Sequence, residues 1–435
     1  MGLQKFNSAA SFSMPWFTHE APTISAAEFS GLAARLLEEA RARFGRTPRR
    51  ALLLPPDLTR MHSGAGRWTE LLYQQLGAGC DTHVIPTLGQ HQPHSEAENR
   101  VMFGSVPHAR IHAHDWRQGV TRAGTIPARV VSELTGGRAD WEIPVELNRP
   151  LMEESWDLIV HIGHVVPHEV LGFASHNKNY FIGLGGKESI SAAHMASAAV
   201  GIENNLGREI SPVRACFNWA EEHFLGRLPD VYLLLVLGLG AAGRLETRGV
   251  FVGDDLETYL AAARASARHN ITRLPQPLAK AVAFMQPDEF RSTWVANKAI
   301  YRIRKAMANG GELLVLAPGV ERFGEQPEVD AMIRKYGYCG TPKAMAAYRD
   351  DPVLHDLGLA AAHLMNGSSE GRFTIRYAAG KLSQKEVESV HFAWADPQAA
   401  LARYNPSALA TGWNTLADGE KIYFVNTPSL GLWTV

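Results

Sequence analysis

The chain has 435 residues, a formal net charge of −1, 46% hydrophobic residues and 20% charged residues. That length predicts about two domains, each large enough to bury its own core without metal or disulfide staples. Balanced charge argues against a nucleic-acid partner held by bulk electrostatics, and the longest apolar run, Val231 to Ala242, is far short of the roughly 20 residues of a membrane span.

Three cysteines, Cys80, Cys216 and Cys339, lie far apart and match no zinc spacing. They fit a reducing compartment. With no basic-then-apolar order at the N-terminus, a cytoplasmic protein is expected. The 18 histidines are the first hint of chemistry.

In chain order, Ser25 and Glu28 form a capping box. Phe29, Leu32, Ala33, Leu36, Leu37 and Ala40 then recur at helical spacing. Next come short apolar runs ending in polar loops: Ala51–Leu54 before Pro55, His83–Pro86 before Gly89, and Leu158–Ile162 before His164. Strands alternating with helical patterns predict an α/β fold whose ligand-binding groups sit past the carboxyl ends of the strands.

The Pro-broken segment 272–278 reads as a linker between an N-terminal α/β domain, 1–272, and a C-terminal α/β domain, 273–411, with a cofactor and substrate cleft between them. Beyond it, Trp294–Met307 reads as a helix, Gly310-Gly311 as its stop and Glu312–Ala317 as a buried strand. The last segment, 412–435, with a strand at Lys421–Asn426, is expected to return to the first domain.

Four segments concentrate reactive side chains. In Asp57-Leu-Thr59-Arg60, just past a strand, Arg60 could grip a carboxylate, or Asp57 and Arg60 could merely tie down a surface loop. Gly89-Gln-His91-Gln-Pro-His94 also lies past a strand and offers proton transfer near neutrality. The densest stretch runs through His161, His164, Pro167-His168-Glu169, Ser175-His176-Asn177-Lys178 and His194. Read as a metal cluster, its first three histidines fit no common zinc signature. Gly238-Leu-Gly240-Ala-Ala-Gly243 spells a dinucleotide fingerprint, yet Arg244–Val252 reads as a strand and not the required helix, so a glycine-rich hairpin is the better reading.

Taken together and in order, these motifs resemble the nickel-dependent lactate racemase family of 2-hydroxyacid racemases and epimerases. The family's D-x-T-R stands at Asp57–Arg60, its G-x-H-x-P at Gly89–Pro93, and its P-H…K…H at Pro167-His168, Lys178 and His194, with intervals of 10 and 16 residues. Leu233–Asp255 resembles the paired strands closing its first domain. A helix with Lys298, and then Gly310–Leu316, resembles the opening of its second domain.

The resemblance implies a nickel-pincer nucleotide, loaded by dedicated cofactor-biosynthesis enzymes, with Lys178 as its tether and His194 completing the nickel coordination. It implies His91 and His168 as proton-transfer groups, and Arg60 and Lys298 as holders of the substrate carboxylate. Asp57, Thr59, His176 and Asn177 are expected at the cofactor, Trp294 and Asn297 at the substrate.

Where the family places two glycines before its lysine, Ser175-His176-Asn177 stand here, which predicts side chains crowding the tether. Gly185-Gly186-Lys187 is a competing lysine, but it breaks both intervals. With Trp294 and Asn297 ahead of Lys298, and polar His62, His94 and His176 nearby, a longer hydroxylated acid such as an aldonic acid is the expected substrate. The alternatives are an NAD(P)-dependent hydroxyacid dehydrogenase using Gly238–Gly243, and a non-catalytic descendant that binds sugar acids or a nucleotide.

Overall fold

The computed structural model describes residues 14–226, 228–240, 244–426 and 428–435. Its first long helix, Ala26–Phe44, begins at the predicted Ser25/Glu28 capping box and stops at Gly45, where the backbone turns left-handed. Phe29, Ala33, Leu36, Leu37 and Ala40 form its buried stripe.

That stripe packs on one face of a six-stranded sheet ordered Phe17–Glu20, Leu245–Gly253, Asp230–Leu239, Leu158–His164, Arg50–Leu54 and Asp81–Val84. The last four strands are parallel, and the first two close the edge antiparallel. Ala51 and Leu53 pack beneath the first helix, whereas Leu52 and Leu54 face a second layer holding Phe181, Ala193 and Phe217. A strand covered on both faces is continuously apolar, which is why these runs read so clearly in sequence.

The second sheet is ordered Ala393–Trp394, Thr374–Ala379, Met307–Ala317, Leu278–Phe284, Lys421–Asn426 and Gly412–Thr415. Here the structure corrects two expectations. Segment 412–435 does not complete the first domain. Lys421–Asn426 pairs in parallel with Leu278–Phe284, and Gly412–Thr415 pairs with it as the edge. Only the last strand, Leu432–Thr434, reaches back, pairing with Ile271–Arg273 at the start of the linker. Ile422 and Phe424, fully buried, fill the face beneath Val282 and Leu314.

The expected helix Trp294–Met307 is broken. Thr293–Ala296 and Lys298–Ile303 are separate short helices meeting at Asn297, and Met307 already belongs to a strand. Gly310-Gly311 lies inside that strand as a bulge, with Leu278 opposite Met307 but Lys280 opposite Glu312. Left-handed Gly310 makes the bulge possible.

Gly238 and Gly240 sit at the tip of an antiparallel hairpin joining Asp230–Leu239 to Leu245–Gly253, while Ala241 to Gly243 lie outside the described residues. The element after the fingerprint is therefore a strand, with no helix N-terminus to receive a pyrophosphate. Among the described residues no helix is long and apolar enough to cross a membrane.

Candidate active site

Three parallel strands of the first sheet end side by side, and each delivers one functional loop. After Leu54 the chain passes through Pro55-Pro56 and Asp57 into a short 3-10 helix, Leu58–Ser63. Asp57 is buried, accepts from the Thr59 hydroxyl at 2.6 Å and pairs with Nδ1 of His91 from the neighbouring loop. Burial pushes the Asp57 carboxyl up, but the His91 bond and charge outweigh it and hold the group below the usual carboxylate range.

The possible Asp57–Arg60 surface pair is therefore not what forms, because His91 takes the carboxylate. With its Nδ1–H committed to Asp57, the exposed His91 ring keeps Nε2 for proton exchange. His94 is spent locally: its Nε2 accepts from the Leu58 N–H at 2.9 Å and its Nδ1 bonds Asn99. It fixes the Asp57 turn and has no nitrogen left for a substrate.

The third loop comes after Leu158–His164. His168 is buried, and its Nδ1 accepts from the Val170 N–H at 3.2 Å, so its proton sits on Nε2 in the neutral form. Burial, reinforced by Lys178, Arg302 and Arg60 against the opposing Glu169, keeps His168 well below its ordinary pKa. His161 and His164 point to different places, as expected of residues on one strand. His161 lies between Tyr180 and Tyr232 and pairs with Asp230, whereas His164 lies edge-on to His62 with both ring nitrogens unpartnered. Among the described residues no three His, Cys, Asp or Glu side chains gather to hold a metal on their own.

Four cations converge here. Arg60 acts on Lys178, Lys298 and Arg302, and burial with that repulsion lowers Lys178 and Lys298 to about 8 and Arg302 to about 10. Glu169 opposes them and is itself held far below a normal carboxylate: burial raises it, but His168 and Arg302 outweigh that. Arg302 reaches from the second domain to the Pro167 carbonyl and stands 4.0 Å from Glu169. Among the described residues no carboxylate lies within ion-pairing distance of Arg60, Lys178 or Lys298, although their charges act on one another. Uncompensated, partly desolvated cations are costly alone, so this arrangement is built for an anion.

His194 projects from the helix Lys187–Val200. Its Nδ1 donates to the Ile190 carbonyl at 2.7 Å, and burial lowers its pKa, so a neutral ring keeps the Nε2 lone pair. That is the tautomer a metal ligand needs. The competing Lys187 starts the same helix and is tied to Asp356 at 2.6 Å.

Residues 39–205, which carry Asp57, Arg60, His91, His168, Lys178 and His194, match the family model of the lactate racemase N-terminal domain. Over these residues the chain is similar to that family. Among curated proteins none matches the chain. A structural-genomics crystal structure of a protein from Thermotoga maritima is similar over 95% of this chain and 99% of its own, with 23% identity and a TM-score of 0.77. The lactate racemase apoprotein from Thermoanaerobacterium thermosaccharolyticum is similar over 94% and 93%, with 13% identity and a TM-score of 0.69. At such identities these likenesses establish the shared fold.

Within residues 39–205, two side chains expected at the cofactor turn elsewhere. His176 is buried between Tyr232, at 4.1 Å, and Tyr259, at 5.2 Å, and Asn177 bonds Asn218, Glu221 and Arg214. Both side chains turn into the core, so they do not crowd Lys178. Thr59 acts on Asp57 through its hydroxyl.

In the second half, Asn297 is fully buried at the helix break, where its Oδ1 accepts from the Tyr377 hydroxyl at 3.0 Å and its Nδ2 has no partner among the described residues. Trp294 is half-buried and stacks 4.3 Å from His363, whose two nitrogens bond the Tyr301 and Tyr338 hydroxyls. Sequence reasoning missed Arg302 and assigned no role to Glu169 or His164. Arg302 had a usable signal, since it lies four residues after Lys298 and shares its helix face.

Proposed function

We propose that the chain is an isomerase, a racemase or epimerase that inverts C2 of a 2-hydroxy acid. The observation that carries this reading is the pairing of cations with no ion pair among the described residues, Arg60, Lys178 and Lys298, with two histidines in complementary protonation patterns. The carboxylate would sit on Arg60 and Lys298, which fix the substrate's orientation and neutralise its charge.

His91, held by Asp57, offers Nε2 to take the hydroxyl proton, and His168 carries a proton on its own Nε2. An anion bound among the cations raises the depressed pKa of His168 and makes it a better proton carrier. Removing the hydroxyl proton and the C2 hydride leaves a 2-keto acid, and returning the hydride to the opposite face of C2 and a proton to the oxygen inverts the centre.

The residues present fit the nickel-pincer nucleotide of the family. His194 Nε2 is available as a ligand, Lys178 near 8 is partly neutral and can act as a tethering amine, and a pincer group brings its other donors itself. When bound, that group supplies the reversible acceptor for the C2 hydride. The reading includes the cofactor-biosynthesis enzymes as maturation partners, and a cytoplasmic setting in keeping with three unpaired cysteines.

For the substrate, the reading extends to an aldonic acid such as gluconate. Neutral His62 and His164 stand beside Arg60, and each neutral imidazole can both donate to and accept from a hydroxyl. The test is co-production with the maturation enzymes, then denaturing mass spectrometry and epimerisation assays. A nickel-containing adduct on Lys178 and interconversion of aldonic acid C2 epimers are expected. His91→Ala and His168→Ala should each lose about 10²–10⁴-fold in turnover while still loading. A preparation that forms no adduct and inverts no 2-hydroxy acid, beside a loading control, overturns the reading.

A further inference from the structure

The turn that delivers Lys178 has an unusual backbone. Ser175 (φ 69°) and His176 (φ 61°) both adopt the left-handed conformation that favours glycine. The surroundings over-determine that turn, as such conformations require.

Arg214, fully buried on the helix Pro212–Ala220, spans it. One terminal nitrogen donates to the Phe173 carbonyl at 2.7 Å, and the other to the Ser175 carbonyl at 3.1 Å and to Asn177 Oδ1. The guanidinium lies 4.3 Å over the Tyr259 ring, which also faces His176. The Ser175 hydroxyl donates to the His164 carbonyl at 3.0 Å, and Asn177 Nδ2 donates to Asn218 at 2.7 Å and Glu221 at 2.8 Å. Every polar group from Phe173 to Asn177 named here is tied to the core, and Lys178 is the first side chain that turns toward Arg60 and Glu169.

We infer that Arg214 is the positioning residue for Lys178, its planar fork holding in place a left-handed turn made without glycine. Three acceptors on one rigid guanidinium are a geometric demand that a lysine cannot meet. The role of Lys178 as a reactive amine rests on the proposed function; its placement by Arg214 does not.

The test reads amine labelling of Lys178 against pH by peptide mass spectrometry on the full chain without cofactor, with surface Lys187 as internal control. Arg214→Lys keeps the charge and loses the fork. It is expected to move the half-labelling pH of Lys178 upward, and adding Ser175→Gly is expected to move it back. A folded R214K with the wild-type midpoint overturns the inference, as does a shift that S175G leaves untouched. Should R214K fail to fold, Asn177→Ala, which cuts the side-chain bond to Arg214 beside Lys178, must shift the midpoint in the same direction, and an unmoved midpoint overturns it equally. A shift with rescue, in a protein that never acquires the nickel adduct, would leave Arg214 its role and remove only the proposed function.

Discussion

Asp57 sets the chemistry of His91 by accepting from its Nδ1–H, and Thr59 holds Asp57 in turn. A neutral amide at position 57 can accept from the same nitrogen but cannot stabilise an imidazolium. Asp57→Asn in the loaded enzyme is therefore expected to lower turnover about 10²-fold or more, with little change in KM. Unchanged turnover would mean that His91 works without its carboxylate. The motif D-x-T-R is visible in sequence, but the partner of its aspartate is not. Asp57 and Arg60 are close in sequence, whereas His91 arrives from another strand 34 residues away.

At the scale of elements, the short helix Lys298–Ile303 connects the two halves of the molecule. Lys298 and Arg302 share one face, and Arg302 grips the Pro167 carbonyl next to His168. Asn297, at the break before it, bonds Tyr377. These placements predict separable phenotypes. Asn297→Ala is expected to cost about 1–2 kcal/mol of stability by losing a buried hydrogen bond, with KM unchanged. Arg302→Met is expected to leave the Pro167 carbonyl unpaired and to lower turnover through His168. Urea unfolding midpoints alongside steady-state kinetics check both; a raised KM in N297A would place that residue at the substrate. Residues 294–307 read as one continuous helix in sequence because their apolar side chains recur at helical spacing. The break comes at Asn297, whose side chain is held by the Tyr377 hydroxyl from 80 residues away in the chain.

For the whole molecule, several histidines are buried in neutral form. Burial holds His164, His168 and His176 well below their ordinary pKa and His363 at about 3. A folded-state value below the unfolded one, near 6.5, means that the unfolded chain binds more protons once the pH falls past it. Their contribution is thus fully present above about pH 6.5 and is lost as the pH drops, at about 1.4 kcal/mol per pH unit for each group. The urea midpoint is expected to be level from pH 7 to 8 and to fall steeply between pH 6 and 5. A flat profile down to pH 5 would show that these rings are protonated in the folded protein or reached by water. An anion bound among Arg60, Lys178 and Lys298 should flatten the fall, because it raises the pKa of His168 in the folded state.

The sequence by itself determined the α/β class, the capped first helix and the buried parallel strands of the first sheet, because local periodicity and burial on both faces leave their mark residue by residue. The motifs that carry Arg60, His91, His168, Lys178 and His194 were legible through their order and spacing, as a resemblance to the lactate racemase family. Only the tertiary structure decided which polar residues of those segments face the ligand. His176, Asn177 and Asn297 look like site residues in sequence, yet Tyr232, Glu221 and Tyr377 draw them inward. Arg302 and Arg214 look like ordinary charges, yet one joins the domains and the other holds the turn before Lys178. The destination of the last sheet strands was likewise decided by tertiary structure. A strand such as Lys421–Asn426 pairs with whichever sheet edge has a matching apolar face, and the second sheet provides it at Leu278–Phe284. Side-chain direction and strand partners depend on residues far apart in the chain, and those distances exist only once it has folded.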